Sequence, residues 1–195
     1  HPTEYGTLYS LDELRALSRV CNQYEIPLFM DGARLGYGLM SHGTDVTLED
    51  VADLCDVFYI GGTKVGALCC EAVGFTHNNA PKHFFSTIKQ NGALLAKGRL
   101  LGVQFDTLFT DGLYEKITGN AARQALRIRE AFEKKGVKMH FDSPTNQQFF
   151  RLPNEVIDRL RKEVSFDYWG ARGATHSIVR FVTSWSTTKE DVARL

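Results

Sequence analysis

Pro27-Leu28-Phe29-Met30-Asp31-Gly32-Ala33-Arg34 and Val57-Phe58-Tyr59-Ile60-Gly61-Gly62-Thr63-Lys64-Val65-Gly66 are the two stretches that decide how this chain folds. Each starts as a short apolar run with the length and the β-branched or aromatic content of a buried parallel strand. The first run hands over to a carboxylate, Asp31, and the second to a lysine, Lys64, inside a Gly-Gly-Thr-Lys-x-Gly turn. Between them, Thr47-x-x-Asp50 has the form of a capping box, with Leu48, Val51, Leu54 and Cys55 following at helical spacing. Strand, helix and strand in that order mark a mostly parallel α/β sheet. Ligands of such sheets sit beyond the carboxyl ends of the strands, so Asp31 and Lys64 could face one pocket.

Working outward, Ser10-x-x-Glu13 caps a helix that carries Leu11, Leu14, Leu17 and Cys21 on one face and ends near Asn22. Residues 67–75 read as a third strand, antiparallel because its connection is short. Phe84, Phe85 and Ile88 form a short amphipathic piece, and residues 92–102 are rich in glycine and leucine. A long helix is expected over about 113–135, with Ala121, Ala125, Ile128 and Phe132 facing inward and Gly136 stopping it. Beyond it the pattern becomes α+β. Residues 137–140, 147–152, 164–166 and 178–182 read as strands, 154–163 as a helix, and Thr187-x-x-Glu190 as the cap of a last one.

The chain has 195 residues, 43% of them hydrophobic, enough for one sizeable core and a small second one. Lysine plus arginine balances aspartate plus glutamate at 23 each, which argues against a nucleic-acid or acidic-membrane surface. No apolar run has the length of a membrane span and the first residues do not resemble a signal peptide, so a cytoplasmic setting is expected. Cys21, Cys55, Cys69 and Cys70 lack metal or disulfide spacing and read as reduced, mostly buried thiols. The six histidines are scattered, and no metal site is expected.

An amine able to form a Schiff base with an aldehyde, and an acid able to keep a pyridine nitrogen protonated, are what pyridoxal 5'-phosphate asks of its protein. Lys64 and Asp31 supply that pair, and the flanking Gly61, Gly62 and Gly66 would let backbone approach a ligand closely. The plainer reading is also open: Asp-Gly is a common turn, Asp31 could cap a helix, and a lysine among glycines is usually solvated.

The residues themselves carry more. Asp31-Gly32-Ala33-Arg34-Leu35 followed by Gly61-Gly62-Thr63-Lys64 resembles the threonine aldolase and β-eliminating lyase group of fold-type I pyridoxal phosphate enzymes, most closely the low-specificity L-threonine aldolases. The resemblance extends through residues 2–9 and 93–99, nearly the whole chain. It implies the C-terminal part of a fold-type I, aminotransferase-like large domain over residues 1–112, then a bridging helix and a small α+β domain over 113–195. It further implies a longer enzyme, with a phosphate loop and a ring-stacking residue ahead of position 1.

Carried over residue by residue, the resemblance makes Lys64 the Schiff-base lysine and Asp31 the partner of the pyridine nitrogen. Arg34 and Arg180 become ligands of the substrate carboxylate, a role for which the bidentate guanidinium fork is suited. Arg180 lies in an apolar strand, where alternation could equally turn it to solvent. Arg99 and Thr63 become cofactor-phosphate contacts, with Lys89 and Lys97 as weaker versions, and His1 falls near the substrate hydroxyl. Tyr168, Trp169 and Trp185 read instead as core or interface aromatics. The implied activity is cleavage of L-threonine or L-allo-threonine to glycine and an aldehyde, by a homodimer or homotetramer. A β-eliminating lyase, a transaminase and a truncated chain without activity are the alternatives.

Overall fold

The computed structural model describes residues 2–195. Its first layer is built from α1 (Leu11–Gln23), β1 (Phe29–Met30), α2 (Leu35–Leu39), α3 (Leu48–Leu54), β2 (Val57–Ile60) and β3 (Ala72–Phe75). β1 and β2 run parallel, with Met30 opposite Phe58, and β3 returns antiparallel to β2. Both expected capping boxes form: Ser10 with Glu13 starts α1, and Thr47 with Asp50 starts α3. Their side chains satisfy amides that the first helical turn leaves without partners. Leu14, Met30, Leu35, Val46, Val51, Cys55 and Phe58 close the core between these elements.

The regular elements are shorter than the apolar runs suggested. β1 keeps only two residues, and Phe29 is exposed because one face of the strand lies bare. β3 begins at Ala72, since residues 67–71 wrap around the lysine turn before joining the sheet. Leu17, expected inward, is also largely exposed on α1. Cys55 and Cys70 are buried and Cys21 half-buried, but Cys69 is exposed.

Helix α4 (Phe84–Gln90), which buries no residue fully, and α5 (Arg99–Leu108), which buries Leu108, lead into α6 (Leu113–Lys134). Its 22 residues make a rod of about 33 Å at ~1.5 Å per residue. Gly136, in the left-handed region at φ 76°, follows its end. α6 serves two cores. Its first half buries Tyr114 and Ala121 with Tyr37, Val65 and Leu108; its second half buries Ile128 and Phe132 with Phe150, Leu152, Val179 and Phe181.

The second sheet contains β4 (Met139–Phe141), β5 (Gln147–Pro153), β6 (Asp167–Tyr168) and β7 (His176–Val182), all antiparallel in the order β4-β5-β7-β6. α7 (Asn154–Leu160) covers it and α8 (Lys189–Ala193) follows β7. Two sequence expectations shift here. Residues 164–166 are not a strand, because the Val164 amide donates to the Leu160 carbonyl and completes the turn after α7. Asp167–Tyr168 pairs with β7 in their place. The last cap is Thr188 with Asp191, one residue beyond the expected pair; the Thr187 hydroxyl is occupied in the preceding turn, accepting from the Ser184 amide. No helix among the described residues is long and apolar enough to cross a membrane.

Candidate active site

The segments that follow β1 and β2 lie side by side. The Gly61 amide donates to the Gly32 carbonyl at 2.9 Å, and the fit leaves no room for side chains. A Cβ on Gly32 would stand 1.7 Å from the Tyr59 carbonyl oxygen, and one on Gly61 2.2 Å from that of Ala33. Tyr114 of α6 pins both segments, accepting from the Gly36 amide at 3.2 Å and donating to the Gly61 carbonyl at 3.1 Å. Adjacent loops at the carboxyl ends of parallel strands are thereby locked together, and Asp31 and Lys64 sit on the same edge of the sheet.

Asp31 is held as an anion. Its Oδ1 accepts from the Tyr59 hydroxyl at 2.7 Å, the Ala33 amide at 3.0 Å and the Thr3 hydroxyl at 3.0 Å. Partial burial pushes its pKa up, but these three donors outweigh it and the carboxyl lies below its ordinary value. Tyr59 answers in kind, its phenol pushed up to about 12 by desolvation and by the hydrogen bond to Asp31.

Lys64 lies exposed in a single 3-10 turn, Thr63–Val65, closed by Gly66 at φ 98°. Only backbone without a Cβ adopts that left-handed geometry freely. The Lys64 carbonyl accepts from the Tyr37 hydroxyl of α2. Burial raises Tyr37 to about 12, against a hydrogen bond from the Trp185 backbone. A carboxylate outside the motif completes the turn. Glu71 accepts from the Gly62 amide at 2.6 Å, from the Thr63 hydroxyl at 2.5 Å and from the Thr63 amide at 3.4 Å. Thr63 therefore directs its hydroxyl to Glu71.

The two arginines come together across the segment 2–4. Arg34, the residue before α2, donates through Nη1 to the Thr3 carbonyl at 2.5 Å. Arg180 of β7 donates through Nη1 to Gln147 Oε1 at 3.0 Å and through Nη2 to Asp167 Oδ2 at 2.7 Å. Its guanidinium carbon lies 4.9 Å from the centre of the Trp169 ring. Arg34 has a lowered pKa, first from burial and then from the positive charge of Arg180 nearby. The Nε atoms of both arginines are buried and have no hydrogen-bond partner among the described residues. Two cations held close, each with an unspent donor, make a place for an anion.

The remaining candidates are peripheral in this chain. Arg99 is exposed at the first position of α5, Lys89 is exposed in the last turn of α4, and Lys97 is exposed ahead of α5. His1 lies outside the described residues. Trp185 is half-exposed and touches the lysine turn near Gly66. Concavities of about 630 and 610 Å³ lie elsewhere, one beneath α7 and one between α2 and α6. Sequence reading passed over Thr3, Tyr37, Tyr59, Glu71, Tyr114 and Gln147. None sits in a local pattern that separates it from an ordinary turn, helix or strand residue.

A family model described as beta-eliminating lyase matches residues 1–125. The chain belongs to the β-eliminating lyase family. Within that family, low specificity L-threonine aldolases of Pseudomonas aeruginosa and of a Pseudomonas sp. strain are 31% identical over 196 residues and 30% over 197. Each alignment takes in 99% of this chain and 55% of the relative, so the chain spans about half the length of the curated relatives it matches. A solved structure of threonine aldolase from Leishmania major, 36% identical, matches with a TM-score of 0.96 over 100% of this chain and 57% of that one. A lysine aminotransferase of M. tuberculosis, 15% identical with a TM-score of 0.55 over 95% of this chain and 43% of its own, shares the fold alone. The expected fold class stands: this family member is α/β, a partial fold-type I architecture.

Proposed function

We propose that the full-length protein is a pyridoxal phosphate-dependent aldolase that cleaves L-threonine and L-allo-threonine to glycine and an aldehyde. The observation that carries this reading is the pair of neighbouring guanidiniums, Arg34 and Arg180, placed beside an anionic Asp31 and the exposed Lys64 turn. The kinship with threonine aldolases supports it.

The residues fit the cofactor on their own geometry. Asp31 is kept ionised by three donors, and glycines where no Cβ has room bring the lysine turn beside it. Lys64, Asp31 and Arg99 would hold the group; Thr63 would have to leave Glu71 to join them. When bound, pyridoxal phosphate supplies an aldehyde for an amine and a ring that accepts the electron pair of the breaking carbon–carbon bond. Lys64 contributes the amine. The Asp31 carboxylate, charged at neutral pH, favours a proton on the ring nitrogen and so makes the ring a stronger acceptor. Arg34 and Arg180 grip the substrate carboxylate, which sets the direction of the bond to be broken. A homodimer or homotetramer in a cytoplasmic setting is proposed with this activity; exposed Leu68, Phe85 and Leu100 support the association.

The test uses the full-length protein with pyridoxal phosphate. Glycine and acetaldehyde should form from L-threonine, and the allo isomer should be accepted. Pyruvate formation with no glycine would overturn the aldolase reading in favour of β-elimination, and amino transfer to a keto acid would move it to the transaminases.

A further inference from the structure

Gln147, the first residue of β5, is fully buried, yet nothing in its sequence context marks it as more than a strand residue. A buried primary amide is costly unless its donors and acceptor are all engaged. Here they are. Nε2 lies 3.2 Å from the carbonyl oxygen of Pro2 and 3.3 Å from those of Thr3 and Glu4, while Oε1 accepts from Arg180 Nη1 at 3.0 Å. The Thr3 carbonyl that receives Gln147 also receives Arg34 Nη1 at 2.5 Å, and the Thr3 hydroxyl donates to Asp31 at 3.0 Å. One neutral side chain thus joins Arg180 on the second sheet to the carbonyl that anchors Arg34 beside the first.

We propose that Gln147 is a positioning residue that sets Arg34 and Arg180 as a single two-pronged receptor for the α-carboxylate of the substrate; this rests on the function proposed above. The chemistry requires an amide. Two guanidiniums repel, so an element that draws them together must reach Arg180 and the anchor of Arg34 without adding a further charge between them. A glutamate would pair with Arg180 and compete with the incoming carboxylate, and would have no hydrogens for the carbonyls. An apolar side chain would take a donor from the Pro2 and Glu4 carbonyls and an acceptor from Arg180 Nη1. The Arg180 plane is fixed from three sides, by Gln147, by Asp167 opposite it in the β6–β7 pair, and by the Trp169 ring. Gln147 ties that plane by hydrogen bonds to residues 2–4, whose Thr3 carbonyl also accepts from Arg34.

The experiment compares glycine with methylamine, its analogue without a carboxylate, titrated calorimetrically into the full-length holoenzyme. Gln147→Met should weaken glycine about 10- to 100-fold, the loss expected when a charge-assisted hydrogen-bond arrangement is dismantled, and leave methylamine unchanged. Gln147→Glu conserves size and the bond to Arg180, and should also weaken glycine selectively; it serves if the methionine variant does not fold. A merely structural role would weaken both amines alike, or lower thermal stability with glycine binding intact, and either result overturns the proposal. Because the readout is binding, it separates from the reaction. A wild-type enzyme that binds glycine but does not cleave threonine refutes the aldolase reading and leaves Gln147 under test.

Discussion

The lysine side of the site and the arginine side are built in different ways. Around Asp31 and Lys64 each residue is delivered by its own short motif, and contacts between neighbouring strands join the two. Each residue follows its own short strand, parallel pairing brings the strand ends level, and glycines remove the side chains that would keep the loops apart. Around Arg34 and Arg180 nothing is local. Arg34 is anchored by a carbonyl 31 positions away, and Arg180 by a glutamine 33 positions away on a neighbouring strand. Short motifs carry Asp31 and Lys64, whereas the partners of Arg34 and Arg180 are groups that only tertiary packing brings into register.

Substitutions in the full-length enzyme can break or sharpen that contrast. The largest effect belongs to the local side. Lys64→Ala should abolish the borohydride-fixable cofactor adduct and lower turnover by about 10²–10⁴-fold, the range for losing a positioned group that handles a proton. Peptide mapping of the reduced wild-type adduct should place it on Lys64, and an adduct on Lys89 or Lys97 would dissolve the local half of the comparison.

Next come the two guanidiniums. Arg34→Lys and Arg180→Lys keep the charge but lose the planar fork, and each should cost about 10- to 100-fold in kcat/KM. The double variant should lose less than the product of the single losses if, as proposed, both groups hold one carboxylate. Full additivity would mean that the arginines act separately. Unchanged kinetics in Arg180→Lys would leave it the pairing partner of Asp167 and nothing more.

Tyr114→Phe removes the hydroxyl shared by the Gly36 amide and the Gly61 carbonyl in a buried setting. It should destabilise the fold by about 1–3 kcal/mol in denaturant unfolding. The smallest effect is electrostatic. Asp31 titrates below its ordinary value, so its ionised form contributes stability that is complete above that value and is lost as pH falls through the folded-state midpoint. Tyr59→Phe removes one of its donors and should raise the midpoint seen by carboxyl carbon NMR. An unmoved midpoint would assign the depression to the Ala33 amide and Thr3.

Local sequence decided a good deal about this protein. The capping boxes of Ser10 and Thr47, the strand–helix–strand order, the long helix with Ala121, Ala125, Ile128 and Phe132 inward, and the Asp31 and Lys64 motifs are all written in residue patterns a few positions long. Where two equivalent local patterns overlapped, as with Thr187 and Thr188, sequence could not choose, because the choice turned on which hydroxyl the preceding turn had occupied. Only the tertiary structure decided that Glu71 closes the lysine turn, that Tyr59 and Thr3 keep Asp31 charged, and that Gln147 bonds both Arg180 and the carbonyl that accepts from Arg34. The physical reason is common to all three. A hydrogen bond between groups distant in the chain depends on where the backbone of each has already been placed, and that placement comes from burying the apolar faces of α6 and the two sheets.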